Sequence, residues 1–134
     1  MAVINVYGET GKSPQNVCLK KATSKQKELI AKIDKESYAE DKDLVETIHS
    51  AVVDINNDNK LDIAYSDRGR AGSCGTEWSI LQNMGNGKYN VISVTDCLSD
   101  CLVFLPETTN GYRVIKSGKT KYIYDNNKRS YVEK

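Results

Sequence analysis

The run Asp54-Ile55-Asn56-Asn57-Asp58-Asn59-Lys60-Leu61-Asp62 places side-chain oxygens at its first, third, fifth and ninth positions. Hard divalent cations take several oxygen ligands converging from one short loop, and calcium loops use this spacing with a backbone carbonyl at the seventh position. The candidate ligands are therefore Asp54, Asn56, Asp58, Lys60 through its carbonyl, and Asp62. The sixth position must turn sharply with positive φ and is usually glycine. Asn59 stands there, the next most tolerant residue type. The twelfth position is Tyr65, so the bidentate glutamate of an EF-hand is missing. Asp and Asn also gather in tight turns, yet three carboxylates this close repel one another without a cation. The expected cofactor is one Ca2+ that fixes a hairpin and supplies no nucleophile.

The other reactive side chains are sparse. Cys18, Cys74, Cys97 and Cys101 permit three complete disulfide pairings. A hairpin folded about Gly85-Asn86-Gly87 opposes residues whose numbers sum to about 171 or 172, which sets Cys74 against Cys97. Cys18–Cys101 would then pin the N-terminal arm to the sheet. The competing scheme joins Cys97 to Cys101 and Cys18 to Cys74. Zinc suits these spacings less well, because paired C-x2-C knuckles are missing. His49 is the only histidine, and no motif sets it beside a nucleophile or an orienting partner. Ser73 lacks a G-x-S-x-G elbow. No residue is assigned a catalytic role. In the polar segment 67–73, Arg68 and Arg70 are candidate partner-binding residues, able to grip a carboxylate or phosphate in bidentate fashion.

The elements that must carry these groups change character along the chain. Residues 1–22 read as an irregular arm, broken by Gly8, Gly11 and Pro14, with a short edge strand over Val3, Ile4 and Val6. Thr23 with Gln26 forms a capping-box signature, and Leu29, Ile30 and Ile33 share one face, predicting a helix over 24–37. Polar residues 38–43 connect it to the rest. From Leu44 the pattern alternates, with pairs such as Val53 and Ile55, Ile63 and Tyr65, Trp78 and Ile80, Tyr89 and Val91, Leu102 and Phe104, Tyr112 and Val114, and Tyr122 and Tyr124. Turn formers separate them at 56–60, 85–87, 110–111, 118 and 126–127. The predicted fold class is α+β: one N-terminal helix packed on a mainly antiparallel β-meander of about six to seven strands, in a single domain spanning 1–134.

Composition narrows the function classes. The chain has 134 residues, 39% hydrophobic, with eight tyrosines, so a thin core with an aromatic bias is expected. A net charge of +1 argues against a strongly basic nucleic-acid binder. Basic and acidic side chains number eight and seven in 1–43, four and nine in 44–107, and seven and two in 108–134. An acidic middle thus adjoins a basic end, and either can steer a charged partner. No apolar run is long enough to span a membrane. Met1–Lys20 lacks the apolar stretch of a signal peptide, whereas four cysteines point to an oxidising compartment. The expectation that reconciles them is a mature periplasmic or secreted protein whose leader has been removed, Met1-Ala2 being a new start.

The segment from Val52 through the acidic run to Ile63 resembles the strand–loop–strand core of FG-GAP and VCBS-type repeats. Gly75-Thr76-Glu77-Trp78-Ser79-Ile80-Leu81-Gln82-Asn83 with Gly85-Asn86-Gly87-Lys88-Tyr89 resembles the next hairpin of such domains. Gly111-Tyr112 and Tyr122-Ile123-Tyr124-Asp125 resemble the closing strands of small secreted bacterial proteins carrying one copy. The resemblance implies a calcium site more than an activity, and one copy cannot build the propeller that several copies form. The expected function is a non-enzymatic extracytoplasmic binding protein. It would be an inhibitor or immunity protein whose partner is a secreted or cell-wall-degrading enzyme or toxin, met through the 67–73 loop and the basic 113–129 region. The alternative is a calcium-stabilised adhesion or envelope module binding glycan or matrix. A small hydrolase comes third.

Overall fold

The computed structural model describes residues 13–35, 47–67 and 75–134. In chain order the elements are β1 (Gln15–Cys18), β2 (Lys20–Lys21), α1 (Ser24–Ile33), β3 (Ile48–Val53), β4 (Asp62–Asp67), β5 (Thr76–Gly85), β6 (Lys88–Leu98), β7 (Cys101–Thr109), β8 (Tyr112–Ser117), β9 (Thr120–Asp125) and β10 (Ser130–Glu133). Among the described residues these strands form two antiparallel five-stranded sheets, ordered β2-β3-β4-β5-β6 and β10-β9-β8-β7-β1. The domain is therefore mostly antiparallel sheet with one short helix. Two sheets replace the single meander of six to seven strands expected from the sequence. Part of the arm expected to be irregular forms β1 and β2, and β10 is a further strand the alternation did not reveal.

The two sheets close on one another through an apolar layer. Val53, Ala64, Trp78, Ile80, Ile92 and Val94 come from the first sheet, and Val17, Leu102, Phe104, Ile115, Tyr124 and Tyr131 from the second. The chain passes between sheets at Ser99-Asp100. Trp78 Nε1 donates to the Ser99 carbonyl (2.8 Å), and Thr76 Oγ1 donates to Asp100 Oδ1 (2.6 Å). Trp78 is thus a core ring whose one polar atom is satisfied at the corner.

α1 covers the opposite face of the first sheet. Ile30 packs with Ile48, Tyr65 and Leu81, flanked by Leu29, Ile33, Ile63 and Tyr89. Ten residues of isolated helix are marginal in water, so its ties to the sheet matter. The expected capping box is present: Gln26 N donates to Thr23 Oγ1, and Gln26 Oε1 accepts from Thr23 N. The same Oε1 accepts from Ser50 Oγ of β3 at 2.9 Å. The helix stops at Ile33, short of the expected 37, where Asp34 leaves helical geometry and accepts a hydrogen bond from Tyr65 Oη at 2.7 Å. Ile63 and Tyr65 face α1, while Ala64 faces the inter-sheet layer, so β4 is buried on both sides.

Cys18 and Cys101 stand directly opposite in the β1–β7 pair and form a disulfide across it. Cys97 is also disulfide-bonded; its expected partner, Cys74, lies outside the described residues. Replacing both Cys18 and Cys101 by alanine is expected to lower unfolding free energy by about 2–4 kcal/mol. Urea unfolding of the oxidised double variant beside the parent measures that loss.

Candidate metal centre

The acidic run joins β3 to β4, and its conformation follows from three short-range choices. Val53 and Ile55 bury their side chains in the inter-sheet layer, fixing where the loop departs. Asn57 and Asn59 take left-handed φ of 58° and 65°, so asparagine at the sixth position adopts the expected turn conformation. Asp54 then gathers the loop's amides: Oδ2 accepts from Asn59 N at 2.8 Å, and Oδ1 accepts longer bonds from Asn56 N and Asp58 N. Asp58 Oδ1 accepts from Lys60 N at 2.9 Å.

Asp62 closes the loop from below. It is fully buried; its Oδ2 accepts from Ile55 N (2.9 Å), and its Oδ1 from Asn83 N of β5 (2.7 Å). Burial pushes its carboxyl up to about 6 from an ordinary 3.8, with the charges of Asp58 and Asp54 adding to the rise and the two amide bonds opposing it. Ile55 O accepts from Arg113 N at 2.7 Å, which ties the loop to β8 in the second sheet.

One oxygen from each of Asp54, Asp58 and Asp62 lies within 4.8 Å of the others. Calcium–oxygen bonds of about 2.3–2.6 Å allow two ligands of one ion to be at most about 5 Å apart, so a single ion fits these three. Asn56 Oδ1 is buried and accepts no hydrogen bond. An orphaned acceptor normally costs about 1–3 kcal/mol, and a cation coordinated there would remove that cost. The expected ligand residues Asp54, Asn56, Asp58 and Asp62 thus belong to one short loop, three of them demonstrably convergent. Lys60 sits at the loop's end, its N–H donating to Asp58 Oδ1. Tyr65 points away toward Asp34, so no twelfth-position ligand comes from it.

A linked pH dependence follows. The folded state of the metal-free protein binds the Asp62 proton more tightly than the unfolded chain does, because the folded value of about 6 exceeds 3.8. Stability from this group therefore falls as pH rises through that window, by about 3 kcal/mol in total, and stays low above it. Unfolding midpoints measured in chelator from pH 4 to 7 check it, and Asp62→Asn should flatten the decline.

Arg113 is the buried charge that the sequence did not reveal. Alternation set it on the outer face of β8 between Tyr112 and Val114, yet it is 1% exposed. The β7–β8 register slips between Phe104 and Thr108, around Pro106, which has no amide to donate. Arg113 fills that break. Its Nε donates to Leu105 O (2.9 Å), Nη2 to Phe104 O (2.9 Å) and Ser13 O (2.6 Å), and Nη1 to Gln15 Oε1 (3.3 Å). Burial pulls its pKa down while the charge of Asp54 opposes the fall.

The remaining candidates separate. His49 is half-buried, with Nδ1 3.1 Å from Thr47 O, and a carbonyl can only accept, so this nitrogen donates. Arg68, Arg70, Ser73 and the Val3–Val6 strand lie outside the described residues. No protein-family model matches the chain, and comparison with curated proteins and with solved structures found no match.

Proposed function

We propose that this chain is a non-enzymatic binding protein of an extracytoplasmic compartment, braced by one calcium ion in the 54–62 loop. Its partner is a secreted or cell-wall-degrading enzyme, or a toxin, which it neutralises as an inhibitor or immunity protein. The observation that carries the reading is the buried, unpartnered Asn56 Oδ1 beside three convergent carboxylates. That arrangement suits a structural ion and leaves the loop a scaffold part, consistent with a single-copy FG-GAP/VCBS-type domain. The compartment is supported by the Cys18–Cys101 disulfide and the bonded state of Cys97, since such bonds persist where the medium is oxidising. No helix among the described residues is long and apolar enough to cross a membrane.

The inhibitor reading is preferred over glycan adhesion because, among the described residues, a cluster of three tyrosines packs internally. Tyr112 stacks on Tyr124 at 4.0 Å, Tyr131 meets Tyr124 edge-on, and the Tyr131 hydroxyl donates to Arg113 O. A rigid sandwich of this kind presents its loops for recognition. The test is affinity capture of the secreted fraction of the native host by the purified chain in calcium. A stoichiometric complex with an enzyme or toxin that loses activity supports the proposal. Recovery of no such partner, or a hydrolytic activity of the chain itself that His49→Ala removes, overturns it.

A further inference from the structure

The exposed large apolar side chains of the described residues are Val52, Leu61, Met84 and Val91, at 42%, 64%, 54% and 38% exposure. All four fall at one end of the first sheet. Val52, Ile63, Leu81 and Val91 form one cross-strand row, because Val52 pairs with Ile63, Ile63 with Leu81, and Leu81 with Val91. Leu61 precedes β4 by one residue, beyond that row. Met84 sits at a register shift between Asn83 and Gly85, where the extra residue of a bulge re-aims its side chain. Within this bulge Asn83 Oδ1 accepts from Gly85 N at 2.9 Å. Core packing does not require a leucine or a methionine at such positions.

Cationic side chains outnumber acidic ones at this end once the acidic loop holds its cation, because Ca2+ offsets two of the three charges of Asp54, Asp58 and Asp62. Lys60 adjoins Leu61, and Lys88 follows the Met84 hairpin; both are exposed. Lys25 and Lys32 flank a groove of about 440 Å³ between α1 and Ile63, with Glu28 the one acid lining it. The ammonium groups of Lys25, Lys32, Lys60 and Lys88 form no ion pair among the described residues.

We propose that this end of the sheet docks onto an anionic lipid surface, with Leu61 and Met84 entering the headgroup–acyl boundary and the lysines meeting lipid phosphates. Two apolar tips on adjacent hairpins protrude, which suits insertion into a deformable surface better than the flat core of a protein interface. Lysine stems lie along apolar surface while their heads stay with polar groups. The inference rests on the calcium reading, since a metal-free loop would set Asp54, Asp58 and Asp62 against the same lipids.

Vesicle co-sedimentation in calcium tests it, using phosphatidylcholine alone and a two-to-one mixture with phosphatidylglycerol. Calorimetry of Ca2+ without lipid runs alongside, so a failed calcium site is seen separately from failed docking. Binding is expected to the mixed vesicles alone and to weaken with added salt. Lys60→Gln and Lys88→Gln should each weaken it about fivefold, and Lys60→Gln keeps the loop carbonyl. Leu61→Ser with Met84→Ser should weaken it about tenfold, with unchanged melting temperatures, since both sites are exposed. Equal binding to both vesicles, or variants that bind like the parent, overturns the proposal. A chain that takes up calcium yet ignores both vesicles has this face covered by a protein instead, and the lipid assignment falls.

Discussion

Arg113→Met is expected to destabilise the fold by roughly 4 kcal/mol or more. The guanidinium is 1% exposed and donates to three backbone carbonyls and one side-chain amide. Methionine fills similar space but leaves Phe104 O, Leu105 O and Ser13 O without donors in a dry environment. Each orphaned acceptor costs about 1–3 kcal/mol, and the loss of a costly buried charge returns only part of that. Arg113→Lys should also destabilise, though less, because an ammonium cannot span acceptors on both the β7 break and the N-terminal arm. Denaturant unfolding of both variants measures the effect. A Met variant within about 1 kcal/mol of the parent would mean the carbonyls find water, and the clamp described for the Pro106 break would be wrong.

Calcium removal is expected to have a comparable effect. A ligand that binds only the folded state stabilises it by about 4 kcal/mol when its concentration is a thousand times its dissociation constant. For a domain of this size that corresponds to a melting shift on the order of 10–15 °C. The site offers a specific reason for so large a response. Without a cation at neutral pH, Asp62 is buried and ionised beside Asp54 and Asp58, and Asn56 Oδ1 is unsatisfied. The ion relieves both costs at once. Melting curves in calcium and in chelator should therefore separate at pH 7 and converge as pH falls below about 6, where protonated Asp62 competes with the metal. Asp58→Ala should abolish the separation without unfolding the chain, since its described bond is one short loop contact to Lys60 N.

Much of this architecture could be read from residue order. The capping box of Thr23 and Gln26 places the start of α1, and the Asn86-Gly87 and Asn110-Gly111 pairs take the positive φ that two-residue hairpins require. The β5–β6 register follows the hairpin arithmetic from Asn83–Tyr89 to Ser79–Ser93 and then slips at Trp78–Thr95. A bulge changes the count by one, and nothing in residue type marks where it falls. The sandwich was hidden for a different reason. Alternation in β7 to β10 looks the same whether those strands extend the first sheet or turn at Ser99-Asp100 to face it. Arg113 was hidden by both effects, because its burial depends on a register break in the neighbouring strand. The convergence of Asp54, Asp58 and Asp62 was the most legible part, since these candidate oxygen donors lie close together in the chain.

Isothermal titration of Ca2+ into the chelator-treated chain tests the central claim most directly. One site per chain is predicted, with heat that disappears in Asp54→Ala and weakens below pH 6. A flat titration at pH 7, with the parent and Asp54→Ala indistinguishable, would contradict it.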